Sequence, residues 1–594
     1  MSDMSTTTQV PVAPATGAGH GDPSSVRNGL LCVLIVAACF LVIYPVVNGP
    51  GGDDFSYTKT ALDFEQTGKM LYNGWATAML GWLIPCGALF VKIFGFSFTT
   101  LRIAMLPITM AAVYLLHQVL RRFGINRQNA VFGTLAVALS PIFLFTATYY
   151  MTDVPGLLVI LVCIYMCQRA VAARTDRAVL LWLCSAAIVN VTGGTVRQIA
   201  WLGSLIMVPS TAWFLRNRRG TKITGALLWL LSLSTIIACL HWFNKQPYSV
   251  PEPILPWPIG RSALVHLGEE LVKTFLCLLL IVFPILVAWM MATHRLPSKA
   301  KRRFAVAMFF LALLAVVLYK AGKLDHWTEP WLIPLLAITV LGRAYLWVRA
   351  IISLLVIAPA IILAEQLISR GWHKAGTGRD QPPSWNQLAW ILGPFSLGYL
   401  LLLIPRGTFA EIQDRYLLGL APIAVIALLK LYQEQVKETL PAASFVALIA
   451  VAAIAIGDAH DLFSTSRALT YTVEMVEKSG IPSKSLLAGL EVPTGWARDG
   501  WVQIRDGGHI NDQRIKVPAG AYRPYPPDLK LPPNCWGWFS SATPTIDAKY
   551  FIVSTPKSCF VATNYPVIHY RTWFPPFRRT LYVQKLAPIS TSEP

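Results

Sequence analysis

Long apolar segments separated by short polar turns run through most of the chain. The first, from Gly29 to Asn48, carries no charge over about twenty residues, which is long enough for a membrane-spanning helix. The same pattern predicts further spans at roughly 99–120, 130–148, 154–171, 178–193, 199–215, 223–243, 270–291, 304–320, 345–365, 387–404, 416–433 and 441–457. We therefore expect a polytopic α-helical membrane protein with about 13 transmembrane helices.

Two apolar stretches do not fit this series. If Trp75 to Phe96 crossed the membrane, the basic turn at 121–127 would fall on the outer side, against the usual charge distribution. We place this stretch, after a short amphipathic helix from Phe55 to Lys69, in a large outer loop at 49–98. Trp331 to Gly342 is too short to span alone and is predicted to be re-entrant.

Charge sets the expected orientation. The chain is 55% hydrophobic and only 13% charged, which excludes an ordinary soluble enzyme, and its formal charge is +20. Basic residues cluster in alternate turns, which the positive-inside rule assigns to the cytoplasm. These turns contain Arg121, Arg122 and Arg127; Arg169, Arg174 and Arg177; Arg216, Arg218, Arg219 and Lys222; and Lys299, Lys301, Arg302 and Arg303. The N-terminus is then cytoplasmic and the C-terminus external, and a nucleic-acid partner is not needed to explain the charge.

Composition divides the chain into three parts. Residues 1–26, rich in Ser, Thr, Gly and Pro, are predicted to be a disordered cytoplasmic tail, followed by a transmembrane domain at 27–457. Residues 458–594 contain Pro, Gly and Trp clusters and short alternating runs at 549–554 and 580–585. We interpret this last part as a small extracytoplasmic α/β domain.

Three acids are predicted to share the outer face. Asp53 and Asp54 follow Gly-Pro-Gly-Gly after the first span, where they could also be a solvated loop or a helix N-cap. Asp153 stands in Thr-Asp-Val-Pro-Gly at the start of the fourth span, where a helix cap is the alternative role.

Arginines are predicted at the same face. Arg197 and Arg415 are each flanked by polar residues and lead into an apolar span, a setting suited to binding phosphate at membrane depth. Arg406 could simply extend its side chain to the membrane surface. Carboxylates and arginines together suit the transfer of a sugar from a lipid phosphate, because a carboxylate takes the acceptor proton and cations stabilise the departing phosphate.

Five segments resemble one known family, the GT-C glycosyltransferases, in particular the protein O-mannosyltransferases and the aminoarabinose transferases that modify lipid A. They are Asp53-Asp54-Phe-Ser-Tyr57, Phe94-Gly-Phe-Ser-Phe-Thr-Thr-Leu-Arg102, Met151-Thr-Asp153-Val-Pro155, Arg197-Gln198 and Asp414-Arg-Tyr-Leu-Leu-Gly-Leu-Ala-Pro422. The resemblance covers about 30 to 430. Each motif is short, so the resemblance depends on the order of the motifs and on their predicted position at the same face of the membrane.

The resemblance implies a polyprenyl-phosphate-linked sugar donor, inversion at the sugar carbon, and Asp53 as general base, with Asp54 and Asp153 as accompanying acids. Arg197, Arg415 and Tyr57 are the expected donor-phosphate ligands. The sequence departs from the family pattern in two places. The acid pair is Asp-Asp where Asp-Glu is common, and Ser56 stands where the lipid A enzymes often carry Arg. We expect no tightly bound metal, although some family members use a divalent ion. The sugar and the acceptor, whether lipid, glycan or protein, stay open.

Two other functions remain as alternatives. A transporter or flippase of lipid-linked glycans would be expected to carry charges within its spans and to show related halves, whereas the acids here cluster at one face. An inactive scaffold with a sugar-binding tail is the third possibility. The expected location is the cytoplasmic membrane, with the active site on its outer side.

Cysteines test the expected sidedness. Eight of the ten lie in apolar segments, where a thiol is usually a small hydrophobe. Cys535 and Cys559 lie outside them, and in an external domain they are candidates for a disulfide. The alternative is a pair of unpaired thiols.

Overall fold

A computed structural model describes residues 23–251, 260–291, 298–320, 356–365, 385–410, 412–436, 439–490, 492–510 and 542–586, with residues 354 and 539. In chain order its helices are α1 (Pro23–Ile43), α2 (Asp54–Thr67), α3 (Leu83–Phe94), α4 (Phe98–Arg122), α5 (Arg127–Ala138), α6 (Pro141–Thr148), α7 (Asp153–Ala172), α8 (Asp176–Gly194), α9 (Val208–Phe214), α10 (Thr221–Asn244), α11 (Arg261–Met291), α12 (Ser298–Lys320), α13 (Val356–Glu365), α14 (Trp385–Arg406), α15 (Ala421–Gln435), α16 (Ala442–Lys478) and α17 (Gly495–Arg505).

The chain is a polytopic helical membrane protein. Within the described ranges, eight helices are long and apolar enough to span a membrane, namely α1, α4, α7, α8, α10, α11, α14 and α16. A ninth is obtained if α5 and α6, which bend by 61° at their junction, count as one span. The expected number of about 13 is therefore not reproduced in these ranges. The predicted re-entrant segment 331–342 and about half of the predicted span 345–365 lie outside them.

Two predicted spans are interrupted for identifiable reasons. The span at 130–148 breaks at Ser140, whose hydroxyl accepts from Phe143 N at 3.3 Å while Pro141 supplies no N–H to continue α5. The span at 199–215 consists of a 3₁₀ turn at Gln198–Trp201, a π turn at Gly203–Met207 and the short helix α9. There the Asn190 side chain accepts from Ser204 N at 2.7 Å and replaces the regular helical bond.

The boundaries at both ends of the membrane domain also differ from the prediction. Helix α1 begins at Pro23, inside the tail predicted for residues 1–26, of which 1–22 lie outside the described residues. The predicted span at 441–457 continues without a break as α16 to Lys478, so the domain boundary expected at 457/458 falls within a helix. The predicted span at 416–433 contains a 3₁₀ turn at Asp414–Gly419 and α15, which has only 15 residues.

The loop 49–98, for which an outer position is predicted and which we call the outer loop, has the expected organisation. It contains α2, which matches the predicted amphipathic helix, and α3, an apolar helix of 12 residues that is too short to span. Gly68 ends α2 in the left-handed conformation, with φ of 67° and an N–H bonded to Phe64 O.

The C-terminal part forms a small five-stranded sheet. Its strands are β1 (Leu486–Leu487), β2 (Tyr550–Val553), β3 (Phe560–Ala562), β4 (Ile568–Arg571) and β5 (Arg578–Leu586). β1 runs parallel to β2, whereas β5 pairs antiparallel with β2, β3 and β4. The predicted strands at 549–554 and 580–585 are β2 and β5, so the expected α/β fold of this domain is confirmed.

An aromatic cluster joins this domain to the outer loop. The Phe55 and Trp75 rings of the loop pack against Trp496 of α17 and Phe539, with ring centroids 5.5 to 6.3 Å apart. A side chain at Gly500 would meet the Phe55 ring, so α17 approaches α2 closely. The C-terminal domain is thus packed directly on the loop that carries Asp53.

Candidate active site

Asp53 lies at the N-cap position of α2 but does not act as a cap. Its side chain makes no hydrogen bond to the first turn of the helix, and it is only 7% exposed. Instead Oδ1 accepts from Trp75 Nε1 at 3.0 Å, and Oδ2 accepts from Arg415 Nη1 at 2.5 Å. Neither a solvated loop nor a helix cap, the two alternatives for this residue, describes these contacts.

Asp54 has a different environment from its neighbour. Its Oδ2 pairs with Arg102 Nη2 at 2.8 Å and its Oδ1 accepts from Gly51 N at 2.7 Å, both in the interior. Burial raises the pKa of Asp54 to about 6, even though the Arg102 guanidinium lowers it. Arg102 also donates to the backbone carbonyls of Val47 and Gly49. This ion pair anchors the loop to α4, and the catalytic role expected of Asp54 stays a prediction.

Asp153 and Asp53 are both close to the guanidinium of Arg415. It is the first residue of α7 and is 3% exposed. Its Oδ1 lies 2.9 Å from Arg197 Nη1 and its Oδ2 lies 3.9 Å from Arg415 Nη1. A carboxylate in the first turn also interacts favourably with the helix dipole, so the helix-start role and the ion pairs coexist.

The arginines meet around one tyrosine. The guanidinium carbons of Arg197, Arg406 and Arg415 lie 5.0, 4.9 and 5.9 Å from the centre of the Tyr416 ring. Arg197 also donates to Thr152 Oγ1 at 2.9 Å. Arg406, for which membrane-surface snorkelling was the alternative, therefore belongs to the same cluster as the two predicted phosphate ligands.

A cavity of about 530 Å³ opens beside these arginines. Its charged lining residues, among those the structure describes, are Arg197, Arg406 and Arg415, accompanied by Tyr57 and Thr152. Burial raises the pKa of the Tyr57 phenol above its usual value, so this group stays protonated at neutral pH and can donate a hydrogen bond. This part of the lining is suited to an anion.

The same cavity also has an apolar lining. Its apolar residues include Leu202, Leu205, Ile236, Leu240, Leu402 and Leu403. Leu240 and Leu402 are 36% and 43% exposed on helices long enough to span a membrane. A lining of arginines and leucines fits a molecule with an anionic group and a hydrocarbon chain.

Two residues of the site were not predicted from the sequence. Trp75 holds Asp53 from 22 positions away, and nothing in Asn-Gly-Trp-Ala distinguishes it from the other 19 tryptophans. Arg102 lies within a segment that carried the family resemblance, but its pairing with Asp54 was not predicted. Its position in the first turn of a span, on the same side as the acids, was an available signal.

The remaining site predictions concern metal and cysteine. Where side chains are described, no three His, Cys, Asp or Glu residues are grouped as metal ligands, and the lack of a tightly bound metal stays a prediction. Cys559 is disulfide-bonded. Cys535, its predicted partner, lies outside the described residues.

Comparisons with known proteins match the chain only at the level of structure. No family model matches it, and no curated protein matches it in sequence. ArnT from Cupriavidus metallidurans bound to undecaprenyl phosphate is similar with a TM-score of 0.37 and 13% identity, over 79% of this chain and 84% of that one. Arabinosyltransferase EmbB from Mycobacterium smegmatis gives 0.31 and 14%, over 72% of this chain and 42% of that one.

A third match is the S. cerevisiae protein O-mannosyltransferase Pmt1-Pmt2 complex bound to the sugar donor. Its TM-score is 0.29 and its identity 13%, over 38% of this chain and 35% of that one. These matches are GT-C glycosyltransferases, the group that the sequence resembles. Because all the TM-scores are below 0.5, the function proposed below depends on the geometry of the site.

Proposed function

We propose that this protein is a glycosyltransferase that moves a sugar from a polyprenyl-phosphate-linked donor to an acceptor at the outer face of the cytoplasmic membrane, with inversion. The observation that carries this proposal is a cavity lined by three arginines and by several leucines, next to a buried aspartate that contacts one of those arginines. A sugar phosphate on a prenyl chain has the matching combination of anion and hydrocarbon.

The donor phosphate is assigned to the arginines of the cavity. Arg197, Arg406 and Arg415 supply fixed cations, and the Tyr57 hydroxyl supplies a neutral donor. Arginine binds phosphate through its planar fork of N–H groups, and such charge-assisted bonds are stronger than neutral ones. The prenyl chain is assigned to the leucines of the same cavity.

Asp53 is assigned as the general base. The acceptor O–H or N–H gives its proton to Asp53 as its oxygen or nitrogen bonds to the anomeric carbon. The bond from that carbon to the phosphate oxygen breaks, and the electron pair leaves on the polyprenyl phosphate. A single displacement of this kind inverts the anomeric configuration.

Arg415 links the two ends of this reaction. It contacts Asp53 and also lines the cavity. When Asp53 takes the proton it loses its charge, so its attraction for Arg415 falls while negative charge grows on the leaving phosphate. The guanidinium is thereby available to stabilise the transition state more than the bound substrate.

Asp53→Asn tests the proposal with a purified protein and a labelled polyprenyl-phosphate sugar. The amide keeps the shape but cannot accept the proton, so we expect donor consumption to fall by roughly 10²- to 10⁴-fold with donor binding retained. Glu65→Gln, on an exposed position of the same helix, is the matched control and should turn over as wild type.

Two outcomes would contradict the assignment. Wild-type turnover by Asp53→Asn would exclude Asp53 as the base. A wild-type protein that moves the donor across vesicles without consuming it would instead favour the flippase alternative.

A further inference from the structure

A second cavity, of about 610 Å³, lies beside the outer loop and is not used by the donor site described above. It is formed by α2, by the segment that follows it, by the turn after α10 and by residues 504–509 of the C-terminal domain. Its side chains include Lys59, Asp63, Lys69, Tyr72, Trp242 and Tyr248.

Two aromatic rings separate the two cavities. Tyr72 lines the second cavity and Phe243 lines the first, and their rings meet edge to face with centroids 5.2 Å apart. The end of α10 contributes to both, because Trp242 faces the second cavity and the adjacent Phe243 faces the first. The cavities are therefore neighbours across a thin wall.

The segment that connects the two cavities contacts Asp53. Asn73 lines the second cavity and Thr77 lines the first. Between them, Trp75 donates to Asp53. A stretch of five residues, from Asn73 to Thr77, thus runs from one cavity, past the indole that holds the carboxylate, to the other.

We propose that the second cavity binds the acceptor, an inference that rests on the proposed glycosyltransferase function. In an inverting displacement the nucleophile approaches the anomeric carbon from the side opposite to the leaving phosphate. With the phosphate at the arginines of the first cavity, an acceptor in the second would extend its reactive group past Asn73 and Trp75 toward Asp53. The two cavities then serve the two substrates.

The lining of the second cavity indicates a saccharide that carries an acidic group. Tyr248 stacks flat on His509, with centroids 3.3 Å apart and planes at 8°, which gives a broad aromatic wall of the kind that packs on sugar rings. Gln246 supplies an amide for hydroxyl groups. Two lysines, Lys59 and Lys69, face a single acid, Asp63, and leave an excess of positive charge for an anionic substituent.

The test separates acceptor binding from donor chemistry. The purified full chain receives a labelled polyprenyl-phosphate sugar, with membranes from cells lacking the protein as the source of acceptor. Three quantities are measured, namely label transferred to membrane material, free sugar released to water, and affinity for a donor analogue. The release of free sugar and the binding of the analogue do not require an acceptor, so these two quantities measure the donor site alone.

Two variants change the second cavity by different means. Lys69→Glu reverses an exposed charge, and Met70→Trp fills space. For Lys69→Glu we expect roughly a tenfold increase in the amount of membrane needed for half-maximal transfer, an effect that weakens as salt is added. Met70→Trp should lower the maximal transfer rate. Both should release free sugar and bind the analogue as wild type does. Lys245→Glu, an exposed lysine outside the cavity lining, is the matched control.

Each result decides between the substrates. The proposal is overturned if both variants transfer sugar as wild type does. It is also overturned if binding of the donor analogue falls as much as transfer does, since the cavity would then belong to the donor. A labelled product that protease digests and periodate leaves intact overturns the saccharide assignment. If the wild-type protein neither transfers nor hydrolyses the donor, the proposed function fails and not merely this inference.

Discussion

At the residue scale, the orientation of Asp53 is set by two donors of different character. A guanidinium holds one carboxylate oxygen and an indole N–H holds the other. Trp75 is itself fixed, because its ring packs against Phe55, Trp496 and Phe539. The indole therefore positions the Asp53 carboxylate.

Trp75→Phe keeps a ring in this cluster and removes the N–H. The hydrogen bond that orients the carboxylate is then lost. We expect the maximal transfer rate to fall by roughly 10- to 100-fold, since a hydrogen bond to a charged group is worth roughly 1.5 to 3 kcal/mol, while binding of a donor analogue stays as in wild type.

The matched control is Trp82→Phe, which removes an indole N–H that donates to Gly193 O at 3.1 Å. Its maximal transfer rate should match that of wild type. A Trp75→Phe variant that transfers sugar as fast as wild type would mean that the indole only fills space.

Two adjacent acids show what the sequence could and could not predict at this scale. The pair at 53 and 54 was predicted as a site, yet Asp54 anchors the loop while Asp53 faces the arginine cluster. Their partners, Arg102 and Arg415, are 48 and 362 positions away along the chain. Local patterns do not encode such separations, so the different contacts of the two acids emerged only from the tertiary structure.

At the element scale, the site is built where regular helices are interrupted. Asp53 precedes α2, Arg197 precedes the 3₁₀ turn at Gln198–Trp201, and Arg415 lies in the 3₁₀ turn at Asp414–Gly419. Hydropathy identified α4, α7, α8 and α10 closely, because each is a continuous apolar helix. The hydropathy pattern predicted one continuous span at 199–215, because hydropathy averaged over a window does not reveal a short break in a helix.

Arg197→Leu and Arg415→Leu test these interrupted elements as the phosphate site. Each should weaken binding of a donor analogue by roughly 1.5 to 3 kcal/mol, the range for a hydrogen bond to a charged group. Lysine should restore only part of the affinity, since it lacks the planar fork.

Arg467→Leu is the appropriate control for this pair. Arg467 donates to Tyr44 O at 2.8 Å near the end of α1 and does not line the cavity. It should bind the analogue as wild type does. If both cavity variants behave like this control, the arginines serve packing alone.

At the scale of the whole molecule, the C-terminal domain and the outer loop form one face. α16 continues from the membrane domain into the C-terminal part, and its Asp461 accepts from Trp573 N at 2.7 Å and Phe574 N at 3.0 Å in the β4–β5 connection. This domain was predicted from the sequence, but the last span was predicted to end at 457. The apolar character of the sequence declines there, whereas the helix continues to Lys478. The aromatic cluster that joins it to Asp53 had no sequence signal.

This common face leads to a prediction about sidedness. The acids and the C-terminal domain are expected outside the cell, where an oxidised Cys535–Cys559 pair would persist. Such a pair would enclose about 25 residues and contribute on the order of 3 kcal/mol by chain entropy. Cys559 is disulfide-bonded, whereas the eight cysteines of the apolar segments do not form disulfides.

Labelling of intact cells with a membrane-impermeant maleimide tests this prediction. We expect labelling only after reduction, because both thiols are then released on the outer side. Cys535→Ser frees the other thiol, so this variant should label without reduction, and the variant lacking both cysteines should not label. Labelling that requires permeabilised cells would put the domain in the cytoplasm. Because α16 and the aromatic cluster tie that domain to Asp53, the proposed catalytic face would have to move with it.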